Sequence, residues 1–206
     1  PVLRERLQVS RVTLRRGLAT LVDEGLLRPS HGRGWFVSAE QLGEPPNTLI
    51  SFTAMGAARG LVATSRVLSS RIRRASLDEA DALGIAPGAG IFELERVRLL
   101  DGVPVALDCS RLPASRFSDL AKRDFSDSSL YAALEERGVT PTRATCVVEA
   151  VEASERQARL LEIEPGGATL VLHQTTYDQS GAAIELGRIA YPGDHYRFRA
   201  VLVRPP

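Results

Sequence analysis

A chain of 206 residues, 44% hydrophobic and 25% charged, can bury one large core or two modest ones and does not have the composition of a disordered protein. No stretch approaches the ~18 apolar residues of a membrane span, and the opening PVLRERLQVSR holds no apolar signal core, so the expectation is a cytoplasmic protein with no membrane partner. The net charge of +1 excludes little, but residues 1–36 carry seven arginines against three acids while the remainder carries 19 basic and 22 acidic residues. A basic head on a mildly acidic body fits a chain that meets phosphate with its head alone; a solvated helix face would give the same count. Cys109 and Cys146 fit no metal-ligand spacing and are expected to be reduced and buried.

In chain order, Val2 to Leu7 predicts a short helix with Leu3 and Leu7 on one face. Ser10 suits the cap of a second helix, in which Leu14, Leu18, Leu21 and Val22 share a stripe and Gly25 takes the left-handed exit. Leu26 to Arg28 and Trp35 to Val37 flank a Gly-rich tip, predicting a two-stranded ribbon in which Trp35 and Phe36 act as anchors. The whole reads as a winged helix-turn-helix over residues 1–38. Residues 39–47, which contain Pro45-Pro46, then read as a stiff linker.

Residues 48–206 hold an internal duplication. ADALGIAPGAGIFELERVRLLDGVPVALD from residue 80 matches ARLLEIEPGGATLVLHQTTYDQSGAAIEL from residue 158 as helix end, Pro-Gly turn, strand, Gly-containing turn and strand. Both helices open with a capping-box pattern, Ser76 with Glu79 and Ser154 with Gln157. The prediction is an α+β domain with one antiparallel sheet and helices on one side.

Two places suggest chemistry. In the head, the buried leucine stripe turns Arg11, Thr13, Arg15 and Arg16 toward the exposed side of the second helix. An arginine fork there can bond guanine O6 and N7 together. Ser10 can meet a phosphate, and His31, Gly32, Arg33 and Gly34 at the ribbon tip allow close approach to DNA, with Arg33 free for the minor groove. In the body, strand alternation puts Arg96 and Arg98 on one face with Phe92, Leu94 and Leu100. Two arginines among apolar neighbours need an anion or internal acids, such as Asp108 or Glu185. The second repeat carries Gln174 and Thr176 in their place, so any anion site is asymmetric. His31, His173 and His195 form no metal set, Glu135, Glu136, Glu162 and Glu164 read as solvated faces, and no cofactor-binding motif is present.

The segment VSRVTLRRGLATLVDEGLLRPSHGRGWFV closely resembles the DNA-binding signature of the GntR family of bacterial repressors. The matching residues are Val9-Ser10-Arg11, Thr13, Arg15, Leu21 to Leu26 and Gly32 to Val37; the family's first helix would precede Pro1, so the head reads as truncated there. Residues 49–203 resemble the UTRA effector-binding domain of the HutC subfamily, a chorismate-lyase-like sheet domain, through SFTAMGAARG, LERVRLLDGVPVALD, SSLYAAL and IELGRIAYPGDHYRF. The resemblance implies phosphate contacts from Thr53, Arg96, Arg98 and Ser129, and a sugar side lined by Asp108, Glu185 and Tyr191. Thr53 and Asp108 stand where some members have Ser and Glu, and other members sense different ligands. It further implies a cofactor-free repressor of metabolic genes, not an enzyme, that binds a palindromic double-stranded DNA operator as a homodimer. A small anionic effector, leaning to an aminosugar phosphate, would control it. The alternatives are a chorismate-lyase-like enzyme acting on a small carboxylate and a ligand-free scaffold.

Overall fold

In the computed structural model, which describes residues 10–23, 27–30, 34–37, 48–194, 196–201 and 204, the chain divides into two units, residues 1–42 and 43–206. In the first unit, helix α1 (Arg11–Asp23) is followed by strands β1 (Leu27–Ser30) and β2 (Gly34–Val37). The strands pair antiparallel from Leu27 opposite Val37 to Ser30 opposite Gly34. Ser10 Oγ accepts the Thr13 N–H at 3.1 Å, satisfying one of the free donors of the first helical turn. Leu14 and Leu18 are half-buried, and Thr13, Arg15 and Arg16 are exposed, as the stripe predicts. The helix expected at Val2–Leu7, the Gly25 exit and the 39–47 linker lie outside the described residues.

The second unit is built on the predicted repeat. The first copy comprises β3 (Ala63–Arg74), α3 (Leu77–Leu83), β4 (Gly90–Leu100) and β5 (Val103–Pro113). The second comprises β6 (Pro141–Glu152), α6 (Glu155–Leu161), β7 (Ala168–Asp178) and β8 (Ala183–Pro192). They join through β5 and β8 into one antiparallel sheet of order β3-β4-β5-β8-β7-β6, a palindrome of the two copies. Both capping boxes form, with Ser76 and Ser154 each accepting a backbone N–H while Glu79 and Gln157 reach back to the cap. Between β4 and β5, Asp101 and Gly102 both take positive φ (48° and 79°), the backbone of a tight two-residue hairpin turn. A short α2 (Phe52–Ala57) precedes β3, and α4 (Ala114–Phe117), a 3-10 turn (Ser118–Lys122) and α5 (Leu130–Glu135) connect the copies.

The helices do not share one side, contrary to expectation. Phe92, Leu94, Leu112 and Ile184 pack beneath Phe117, Leu120, Leu130, Ala133 and Leu134 from α4, the 3-10 turn and α5. The opposite face buries Ile91 against Ala80 and Leu83 of α3, and Val97, Leu107, Val171 and Ala190 against Leu161 of α6. Strand β4 explains the difference: Ile91, Phe92, Leu94 and Val97 are all fully buried, so both of its faces need cover. The cysteines also depart from expectation. Neither forms a disulfide, but Cys109 is half-buried and Cys146 is exposed, because β6 is an edge strand on which little packs. No described helix is long and apolar enough to cross a membrane.

Candidate functional site

Along β4 the face that begins with Phe92 and Leu94 continues with Arg96 and Arg98. The apolar cover of α4 and α5 lies over the first pair. Over the second pair a cavity opens, walled by the chain at Ile50–Thr53, by Ser129–Tyr131 at the start of α5, and by β5, β7 and β8. Its empty space, about 570 Å³, includes the open solvent at its mouth.

Both arginines are buried, each with 3% of its surface exposed. Arg96 stands opposite Asp108 in the β4–β5 register and donates from Nη2 to its carboxylate at 2.5 Å. Its Nε and Nη1 find no partner. Arg98 stands opposite Ala106, pairs with no carboxylate among the described residues, and leaves its buried Nε unbonded. Its guanidinium lies 4.3 Å from the ring centroid of Phe52, the first residue of α2. Burial, and then the Arg96 charge, push the Arg98 pKa down to about 9, with Asp108 and Tyr191 pulling partway back. At neutral pH the group therefore stays charged with its desolvation only partly repaid. Three buried guanidinium nitrogens without partners, Arg96 Nε and Nη1 and Arg98 Nε, belong to residues that line the cavity, and a phosphate or carboxylate has the acceptors that such guanidiniums lack.

The opposite wall is polar and hydrogen-bonded. Gln174 Nε2 donates to Tyr131 Oη at 3.1 Å and to Thr176 Oγ1 at 2.9 Å, and Thr176 Oγ1 donates to Glu185 Oε2 at 3.1 Å. Complete burial raises the Glu185 pKa and the nearby Asp108 charge adds to the shift, while hydrogen bonds from Ser110 and Thr176 pull back. The Tyr131 hydroxyl is pushed well up, by burial and then by Glu185. This wall presents hydroxyls, an amide and a carboxyl inclined to keep its proton, groups suited to a polar uncharged body.

Thr53, Arg96, Arg98, Asp108, Ser129, Glu185 and Tyr191, singled out in the sequence from four distant stretches, all line this one cavity. Ser51 and Ser129 cap α2 and α5 there, their side chains accepting the backbone N–H groups of Ala54 and Ala132. Tyr191 stacks on Tyr196 with centroids 3.9 Å apart, which fixes its ring at the cavity edge. The internal-acid alternative holds for Arg96, through Asp108, and fails for Arg98. Sequence reasoning passed over Tyr131, Ser110 and Phe52. Tyr131 lay inside the quoted SSLYAAL stretch, directly after the capping serine, and a phenol one turn into a helix whose cap lines a site was the available signal.

In the first unit, Ser10, Thr13, Arg15 and Arg16 are exposed around the first turns of α1. The Ser10 hydroxyl is already engaged, 2.8 Å from Thr13 Oγ1. Gly34 begins β2. The Arg11 side chain, His31, Gly32 and Arg33 lie outside the described residues, as does His195. His173 is exposed beside Glu149, and no metal-binding cluster occurs among the described residues.

Residues 58–197 match the family model of the UTRA domain. The chain is 34% identical to the HTH-type transcriptional repressor NagR of Bacillus subtilis over 195 residues, covering 94% of this chain and 80% of that protein. It superimposes on the crystal structure of PhnF from Mycobacterium smegmatis with a TM-score of 0.77 at 32% identity, covering 98% of this chain and 89% of that one. A GntR-family transcriptional regulator from Enterococcus faecalis gives a TM-score of 0.58 at 29% identity, over 66% of this chain and 98% of that one.

Proposed function

This chain belongs to the UTRA-domain transcriptional regulators of the GntR family, and from that premise we propose that it represses metabolic genes under the control of a small anionic metabolite, a phosphorylated aminosugar. The observation that carries the effector class is the buried, carboxylate-free Arg98 beside a half-neutralised Arg96. A phosphate between them accepts the waiting N–H groups, and the polar wall of Tyr131, Gln174, Thr176 and Glu185 receives a sugar.

The DNA contact falls to the exposed face of α1, where Arg15 and Arg16 flank the capped first turn. One head reads a half-site, so the repressor acts as a dimer on a palindromic operator. The sheet domain offers β6 as its pairing edge: a twelve-residue strand, largely exposed, with Val147 at 61%. Sizing chromatography at micromolar concentration is expected to give a dimer; a monomer contradicts this arrangement.

The enzymatic alternative has one supporting feature, Glu185, whose pKa burial raises. Product formation from a carboxylate metabolite in the cavity would favour it; the repressor reading expects none. The repressor reading is tested on a duplex selected in vitro by the full chain. Glucosamine 6-phosphate is expected to shift its dissociation constant by ~10-fold or more, a coupling of about 1.4 kcal/mol, and glucosamine is expected to leave it unchanged. Equal effects of the two, or none, contradict the proposed effector.

A further inference from the structure

The polypeptide reaches the sensor domain through the wall of its own cavity. The described chain resumes at Thr48, and Ile50, Ser51, Phe52 and Thr53 already line the site. Whatever tether joins the head to this domain is covalently attached to that wall. Phe52 occupies a distinctive place in it. Its ring covers the Arg98 guanidinium at 4.3 Å, and Phe52 is also the first residue of α2, held by the Ser51 cap.

Helix α2 is in turn seated closely on the strand that carries the arginines. Met55 is buried, and a Cβ placed on Gly56 would come within 3.0 Å of Ala63 Cβ in β3 and of Leu100 Cδ2 in β4. Leu100 lies two residues from Arg98 on the same strand. With Gly56 against the strand end at one side and Phe52 against the guanidinium at the other, the helix has no clearance to ignore a displacement of Arg98. A cation also holds an aromatic face most strongly when its charge is otherwise uncompensated. An anion that takes up the free Arg98 donor both redirects the guanidinium and weakens its hold on the ring.

We infer that Phe52 is the positioning residue that converts anion occupancy at Arg98 into a change in the segment 48–57 to which the head is tethered. The inference rests on the effector site proposed above. It assigns Phe52 to transmission: with the ring face removed, a saturating probe should no longer evoke the response.

The test uses the full chain, glucosamine 6-phosphate as the probe, and the in vitro selected duplex. Three proteins are compared: wild type, Phe52→Leu, which keeps an apolar side chain without a π face, and Phe52→Tyr, which keeps the face. Phe52 is only half-buried, so all three should fold, and melting temperatures check this directly. The expected result is that calorimetry finds the probe still bound by Phe52→Leu, at an affinity that fixes the saturating concentration for its DNA measurement. Its probe-induced shift in DNA affinity should fall at least ten-fold, and Phe52→Tyr should restore it. Hydrogen exchange over residues 48–57 should change with probe in wild type and Phe52→Tyr but not in Phe52→Leu. Full DNA response in Phe52→Leu overturns the inference and leaves the effector site intact. Loss of probe binding together with the response in Phe52→Leu also overturns it, because the ring would then serve binding alone. A wild type that does not bind the probe overturns the effector reading itself, and with it this one.

Discussion

The two hairpins of the sensor domain occupy matching places in a duplicated fold and solve the problem of buried polarity in opposite ways. In β4–β5, Arg96 faces Asp108 and Arg98 faces Ala106; in β7–β8, Gln174 faces Gly187 and Thr176 faces Glu185. The second hairpin closes its hydrogen bonds internally, from Gln174 through Thr176 to Glu185, with Tyr131 joined from α5. The first leaves three buried guanidinium nitrogens without partners. A repeated scaffold thus supplies one wall whose hydrogen bonds close on themselves and one that leaves donors open. Responsiveness is expected to reside in the open wall, whose charges are only partly compensated.

The largest effect should come from breaking the one ion pair on the arginine side. Asp108→Asn leaves the Arg96 charge buried without its carboxylate and should cost about 3 to 5 kcal/mol in denaturant melts; a loss below 1 kcal/mol would mean that the pair is not holding the wall. Next comes a contrast of sign. Without anion, Arg98→Met removes a poorly compensated charge and should raise stability by about 1 kcal/mol or more. Thr176→Val breaks a satisfied network and should lower it by a similar amount. If both variants lose stability, the two walls are not energetically different.

Acid titration sharpens the comparison further. Burial raises the folded pKa of Glu185 above its ordinary value of 4.5, so the folded state holds the proton more tightly than the unfolded chain. That contribution is fully present below 4.5 and is lost as pH rises through the raised folded value. Relative to Glu185→Gln, the wild type should therefore lose stability as pH climbs above 4.5; parallel curves for the two proteins would show that Glu185 is ionised in the fold. The smallest effects belong to the features that the copies share. Ser76→Ala and Ser154→Ala each remove a capping box and should each cost about 1 kcal/mol. A large inequality would show that one copy depends on its helix more than the other.

Much of this was legible in the sequence because it rests on local patterns. Ser76-Leu-Asp-Glu79 and Ser154-Glu-Arg-Gln157 announce helix starts, Asp101-Gly102 a tight turn, and Phe92 to Arg98 a strand whose alternation alone puts two arginines on an apolar face. What was not legible depends on which elements meet. Nothing local told that the two repeats cap one sheet face while α4 and α5 cover the other. Cys146 carries no mark of its edge position in its neighbours, which are as apolar as those of a core strand. Tyr131 and Phe52 enter the cavity from short helices remote in sequence from β4, and only the closed fold shows Phe52 against Arg98.

The measurement closest to the central claim is a calorimetric titration of the wild type and Arg98→Met with glucosamine 6-phosphate, beside glucosamine. Hydrogen bonds from a buried charged group are worth about 1.5–3 kcal/mol each, so the account predicts phosphate-dependent binding that falls roughly 10- to 100-fold or more in Arg98→Met. Equal affinity in the two proteins, or equally tight binding of glucosamine and its phosphate, would contradict the assignment of the arginine wall as an anion receptor.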